Sequence, residues 1–100
     1  MKKLLNKYKN DIKQLCVKYN VNRLYAFGSV LDDRFKESSD VDLIVNFDTV
    51  KIEDYANNYY DLKFALEDVF KRPVDLLEEK ALKNPYFINS VANQRQLVYG

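Results

Sequence analysis

Gly28-Ser29, followed after ten intervening residues by Asp40-Val41-Asp42, sets a point of close backbone approach beside two carboxylates. Gly28 has no Cβ, so its backbone can pass near a phosphate, and Ser29 at a helix start adds a hydroxyl and oriented N–H groups that suit an anion. On a strand, Asp40 and Asp42 project to one face, roughly 7 Å apart at about 3.3 Å per residue. Such a pair can grip one hard cation or two. Magnesium commonly takes one or two carboxylates and fills its other positions with water and substrate phosphate. Asp75, between Val74 and Leu76, has the same alternation on another apolar run, so its carboxylate is expected to join the first two. Three converging carboxylates suit two-metal phosphoryl displacement, with ions about 3.5–4 Å apart and the third carboxylate activating the attacking hydroxyl.

Other chemistries are removed by what the chain lacks. It contains no histidine and one cysteine, Cys16, so Ser-His-Asp and Cys-His catalysis, a Cys/His zinc site and an internal disulfide cannot be assembled from it. Gly28 and Gly100 are the only glycines, so neither G-x-G-x-x-G nor G-x-x-x-x-G-K-[ST] can be written. An EF-hand loop starting at Asp40 fails at Ile44 and Val45. An isolated Asp-x-Asp is common in loops and a Gly-Ser pair usually marks a turn or a cap. The weight rests on their combination at the ends of strand-like runs.

Those runs define the elements. Leu4, Tyr8, Ile12, Leu15, Cys16 and Tyr19 recur at helical spacing, predicting one amphipathic helix over Leu4 to Tyr19. Arg23 to Phe27 reads as a short buried strand ending at Gly28, and Ser29 caps a short helix with Val30, Leu31 and Phe35 on its buried side. A second strand is expected from about Asp40 to Phe47, and Ile52, Tyr55, Tyr59, Leu62, Leu66, Val69 and Phe70 trace the longest helix. Pro73 to Leu77 reads as a third strand, Glu78 to Leu82 as a short helix, and a final helix is expected from Pro85 through Ile88, Val91 and Leu97 to Val98. The order implies an α/β (α+β) fold: one small sheet flanked by helices.

One hundred residues with 47% hydrophobic and 14% aromatic content predict a single folded domain, residues 1–100, with one modest core and no room for a second substrate domain. Sixteen basic residues against fifteen acidic ones give a formal charge of +1, so no global field recruits nucleic acid or an anionic membrane. Direct nucleic-acid binding is not expected. The apolar runs are too short to span a bilayer, and a cytoplasmic location is expected. Cys16 falls on the apolar side of the first helix and is assigned to the core, and the lysine series from Lys2 to Lys18 is assigned to a solvated helix face. Tyr59 and Tyr60 cannot both face the core, so one packs and the other is exposed.

The stretch from Leu24 to Val45 resembles the G-S-x10-D-x-D signature of the nucleotidyltransferase superfamily that includes DNA polymerase β. In length, in the Pro73-Val74-Asp75-Leu76-Leu77 strand and in its last residues the chain is similar to the MNT-type, or minimal, nucleotidyltransferases, and the resemblance covers nearly all of it. It implies a small mixed sheet with flanking helices. It also implies transfer of a nucleoside monophosphate, AMP from ATP, to a hydroxyl with release of pyrophosphate. Asp40, Asp42 and Asp75 would be the catalytic, metal-binding residues for two Mg²⁺ ions, Asp75 would be the candidate general base, and Gly28 and Ser29 would hold the triphosphate. Relatives of this size pair with a helical HEPN-domain protein, acting as antitoxins that adenylylate a tyrosine of the toxin; the alternative is a non-catalytic antitoxin that neutralises such a partner by binding alone. The chain departs from many relatives in following Gly-Ser with Val30-Leu31-Asp32 rather than Ala-Arg-Gly. Either Arg34 or Lys36 supplies the phosphate contact from another position, or nucleotide binding is weaker.

Overall fold

The computed structural model describes residues 2–28 and 40–100. Ser29 and the short helix expected after it, with Arg34 and Lys36, lie outside the described residues. The described elements are α1 (Lys2–Lys7), α2 (Lys9–Lys18), β1 (Val21–Phe27), β2 (Val41–Phe47), α3 (Ile52–Phe70), β3 (Val74–Glu78), a 3-10 turn (Glu79–Ala81), α4 (Pro85–Gln94) and β4 (Gln96–Tyr99).

Among the described residues, four strands form one mixed sheet in the order β3-β2-β1-β4. β1 pairs antiparallel with both β2 and β4, whereas β2 and β3 run parallel, joined by the crossover helix α3. This is the α+β fold with a small mixed sheet read from the sequence.

Side-chain alternation splits the sheet into two faces. Leu24, Ala26, Val41, Leu43, Val45, Val74 and Leu76 point to one side, where Ile12 and Cys16 of α2 and Leu62, Leu66 and Phe70 of α3 close the main core. The other side carries Tyr25 and Ile44, covered by Val91 of α4, with Phe27, Leu77, Leu82 and Phe87 partly buried around them. The burial of Cys16 pushes its thiol up to about 12, so it remains a protonated core residue.

The helix expected from Leu4 to Tyr19 is present as two segments that meet at Tyr8. Its amide donates to the Leu4 carbonyl at 3.3 Å and its carbonyl accepts from the Ile12 amide at 2.9 Å, so the bonding carries across the join. α3 ends with Lys71 in the left-handed region at φ 58°, which turns the chain toward Pro73. The Pro73 carbonyl then accepts the Val41 amide at 3.0 Å, starting the parallel ladder. β3 lies at the edge of the sheet, and α3 holds it there: Glu67 Oε2 accepts the Val74 amide at 3.0 Å, and the Tyr59 hydroxyl donates to the Leu76 carbonyl. Tyr59 is thus the packed member of its pair and Tyr60 the exposed one, as the helical spacing requires.

The last helix differs from expectation. It stops at Gln94, and Gln96–Tyr99 forms β4, pairing Leu97 with Tyr25 and Tyr99 with Leu24. Its inward stripe is also phased differently, because Ile88 is 39% exposed and Leu97 48% exposed, whereas Phe87 and Val91 pack on the sheet. Helical spacing from Pro85 to Val98 was compatible with a continuous helix, but the unpaired edge of β1 gives the terminal apolar run a ladder to join.

Candidate active site

The site begins with a row of residues across three strands. Phe27 at the end of β1 is the register partner of Asp42 on β2, and Asp42 is the register partner of Asp75 on β3. Their buried neighbours, Val41 and Leu43, Val74 and Leu76, face the main core, so Asp42 and Asp75 emerge together on the opposite face. Asp40 stands exposed, one residue before β2 begins. Sheet pairing therefore places two of the three predicted carboxylates, Asp42 and Asp75, side by side at one end of one face, with Asp40 just ahead of the strand.

Their proximity is visible in the electrostatics. The carboxyl of Asp42 is held above its ordinary value of 3.8, first by partial burial and then by the negative charges of Asp75 and Asp40. A carboxylate whose ionisation is made costly by two neighbouring acids is suited to a divalent cation, which reverses the sign of the local field. Among the described residues no group of three or more His, Cys, Asp or Glu side chains is gathered tightly enough to hold a metal ion unaided. The donor set fits a magnesium site left open for water and phosphate oxygens and does not fit a closed protein cage.

Gly28 completes the described part. Its φ of 75° lies in the left-handed region, and a Cβ built there would stand 2.7 Å from Asp42 Oδ2. Glycine is required by its own backbone, and a side chain there would push the tip of the Asp42 carboxylate aside. Gly28→Ala is expected to cost about 1–2 kcal/mol in stability for the left-handed conformation. It is also expected to cut nucleotidyl transfer by about 100-fold, because relieving the clash swings the Asp42 carboxylate out of place. Thermal melts and labelled-nucleotide transfer rates measure the two effects separately; an alanine variant with wild-type transfer would show that Asp42 need not hold this position.

Two concavities lie elsewhere. One of about 330 Å³ is lined by Asn22, Asn46, Asp48, Tyr55, Glu78 and Lys80 at the far end of β2, and one of about 400 Å³ runs beside Tyr55, Tyr59 and Tyr60 of α3. Neither includes Gly28, Asp40, Asp42 or Asp75. Convergent charge locates the candidate site better than concavity does.

Sequence reasoning expected the helix that frames this face, with Val91 on it, but passed over Phe87 and Arg95. Phe87, Val91 and Arg95, at i, i+4 and i+8, lie along the sheet from the carboxylate end to the opposite end. Phe87 meets Phe27 edge to face at 6.0 Å between centroids, and the Arg95 guanidinium lies 4.0 Å over the Tyr25 ring. Arg95 Nη1 also donates to Glu79 Oε2 at 2.7 Å, while Asn46 Nδ2 donates to Glu79 Oε1 at 3.1 Å. At the other end of α4, Asn84 Oδ1 accepts from the Tyr86 and Phe87 amides. The signal in the sequence was the Asn84-Pro85 start together with the four-residue spacing of Phe87, Val91 and Arg95.

Comparison with known proteins gives the family and the fold. The profile of the family described as polymerase beta, nucleotidyltransferase, matches residues 10–100. Two proteins of Methanocaldococcus jannaschii named putative protein adenylyltransferase, MJ0128 and MJ1379, are 33% and 32% identical over 99 residues, covering 99% of this chain and 93% of each relative. The fold superimposes on a solved putative minimal nucleotidyltransferase with a TM-score of 0.75 and 28% identity, over 92% of this chain and 90% of that one. A toxin-antitoxin crystal structure with AMP-PNP gives a TM-score of 0.71 at 22% identity, over 92% of this chain and 73% of that one, a likeness of fold. The chain belongs to the polymerase beta nucleotidyltransferase family and is, by chemical class, a nucleotidyltransferase.

Proposed function

We propose that this chain is a single-domain, cytoplasmic, Mg²⁺-dependent protein adenylyltransferase that moves AMP from ATP to a tyrosine hydroxyl of a HEPN-type partner, and so serves as an antitoxin. The observation that carries the reading is the Phe27–Asp42–Asp75 register, which puts two carboxylates side by side next to Gly28. The protein adenylyltransferase names of its relatives support the adenylyl group and a protein acceptor. A fold neighbour described as a tri-AMPylated Shewanella oneidensis HEPN toxin in complex with MNT antitoxin, with a TM-score of 0.66 at 20% identity over 96% of this chain and 72% of that one, is consistent with the partner class.

In this reading Asp40 and Asp42 would hold two Mg²⁺ ions, with Asp75 as a further ligand, and Gly28 and Ser29 would receive the triphosphate. Bound magnesium neutralises phosphate charge and stabilises the leaving pyrophosphate. The acceptor oxygen forms a bond to the α-phosphorus of ATP, the bond from that phosphorus to the bridging oxygen breaks, and pyrophosphate departs with its electron pair. Asp75, the most exposed of the strand carboxylates, takes the proton from the acceptor hydroxyl. Asp42, pressed between Gly28 and Asp75, is held in position by its surroundings and anchors the cation end of the substrate.

Incubation with α-labelled ATP, Mg²⁺ and the product of the neighbouring gene tests the reading. Label is expected on a partner tyrosine with the wild-type chain, falling by about 10²-fold or more with Asp75→Asn. Labelling that is unchanged in that variant, or that persists in excess chelator, would reject the assignment of roles. Neutralisation of the partner by a folded Asp40→Ala/Asp42→Ala chain would favour the binding-only antitoxin instead.

A further inference from the structure

We infer that Phe27 and Phe87 form the shelf on which the nucleobase of the substrate rests, an inference that builds on the nucleotide-transfer reading above. Phe27 is the residue directly across from Asp42 in the β1–β2 register, and both lie on the face turned away from the main core. A carboxylate that would engage the triphosphate through a bound cation and a flat apolar group that would engage the base are thus set side by side, as the two ends of one nucleotide require. Phe87 reaches the same place from α4, its ring edge-on to Phe27 at 83°.

Both rings are only partly buried, although they sit at the border of an apolar cluster containing Leu77 and Leu82. The next row of that cluster, Tyr25 and Ile44, is sealed beneath Val91. The cover over this face therefore thins toward the carboxylate end, where aromatic surface is left available beside Asp42. The position of Phe87 is fixed from both ends of its helix, by the Asn84 cap at the start and by Arg95 on Tyr25 and Glu79 at the end. A shelf built from hydrocarbon rings reads stacking area rather than hydrogen-bonding edge, so it favours purines over pyrimidines without choosing strongly between adenine and guanine.

Equilibrium binding in Mg²⁺ of ATP and of inorganic tripolyphosphate, which has the charge but no base, separates the shelf from the phosphate site. For the full-length chain, Phe87→Ala is expected to weaken ATP by about ten-fold and to leave tripolyphosphate within about two-fold, the loss expected for one stacked base. Phe87→Leu, which keeps apolar volume at the α4 contact, is expected to fold with a wild-type melt and still lose most of the ATP preference. Wild-type ATP binding by both variants overturns the shelf, as does an equal loss of both ligands, which would make Phe87 a support for the phosphate site. Unchanged ATP affinity with a raised KM for the acceptor also overturns it and assigns the rings to the acceptor side chain. If the wild-type chain binds neither ATP nor tripolyphosphate, the nucleotide-transfer reading itself falls, together with the shelf.

Discussion

Asp42→Asn is expected to abolish nucleotidyl transfer and, at neutral pH without divalent metal, to raise the melting temperature. Both effects come from one feature: a carboxylate placed where ionisation is unfavourable. Partial burial is the largest cause, followed by the charges of Asp75 and Asp40, and together they hold the folded-state pKa of Asp42 above 3.8. A carboxyl whose pKa rises on folding binds its proton more tightly in the native chain. Its contribution is fully present below pH 3.8 and is lost as pH rises through the elevated native value.

At pH 7 the ionised side chain therefore opposes folding, and a neutral, nearly isosteric amide removes that opposition. Discounted for solvent screening of a half-exposed pair, the gain is about 0.5 kcal/mol, or about 2–4 °C in a chain of this size. The difference between variant and wild type should shrink as melts are moved down through the raised native pKa and level off below pH 3.8, where Asp42 becomes protonated in both states. Adding Mg²⁺ should raise the wild-type melt and leave the variant's unchanged, since cation binding to the folded state alone stabilises it. Transfer should fall by about 10³-fold, as the amide cannot supply an anionic ligand. A variant that melts below wild type at pH 7, or one that keeps its transfer rate, would show that Asp42 is structural.

The largest stability effect is expected from Leu43→Ala. Leu43 is fully buried on β2, between Asp42 and Ile44, and faces the core shared by α2 and α3. Truncation removes contacts on the strand that pairs with both β1 and β3, and the cavity left behind collapses only partly. The expected loss is about 3–5 kcal/mol, a large share of the 5–15 kcal/mol typical of a single domain. Tm should fall by more than about 10 °C, and activity at 37 °C should fall with the folded fraction. Val17→Ala, at a position 63% exposed on α2, serves as the matched control and should stay within about 0.5 kcal/mol of wild type. A similar small change for Leu43→Ala would mean that this core does not hold β2.

The candidate site residues were legible because their signals are local. Strand alternation alone sends Asp42 and Asp75 to the face opposite their apolar neighbours, and the residues between Gly28 and Asp42 are few enough for a motif to survive in one stretch of sequence. The long helix α3 was legible for the same reason, since its stripe repeats over nineteen residues. β4 was not. Four residues that fit a helical stripe as well as a strand take their conformation from the edge they join, and that edge is supplied by β1, some seventy residues earlier.

The sequence by itself determined the chemical class, through its Gly-Ser and Asp-x-Asp signature, and excluded histidine chemistry and glycine-rich phosphate loops by composition. Tertiary structure decided which residues are neighbours. Register between parallel β2 and β3 put Asp42 beside Asp75, register between β1 and β2 put Phe27 beside Asp42, and the docking of α4 brought Phe87 onto Phe27. Alternation is a property of one strand and can be read along the chain. Register and helix docking are set by which apolar surfaces can be buried together, a condition the folded chain satisfies only as a whole.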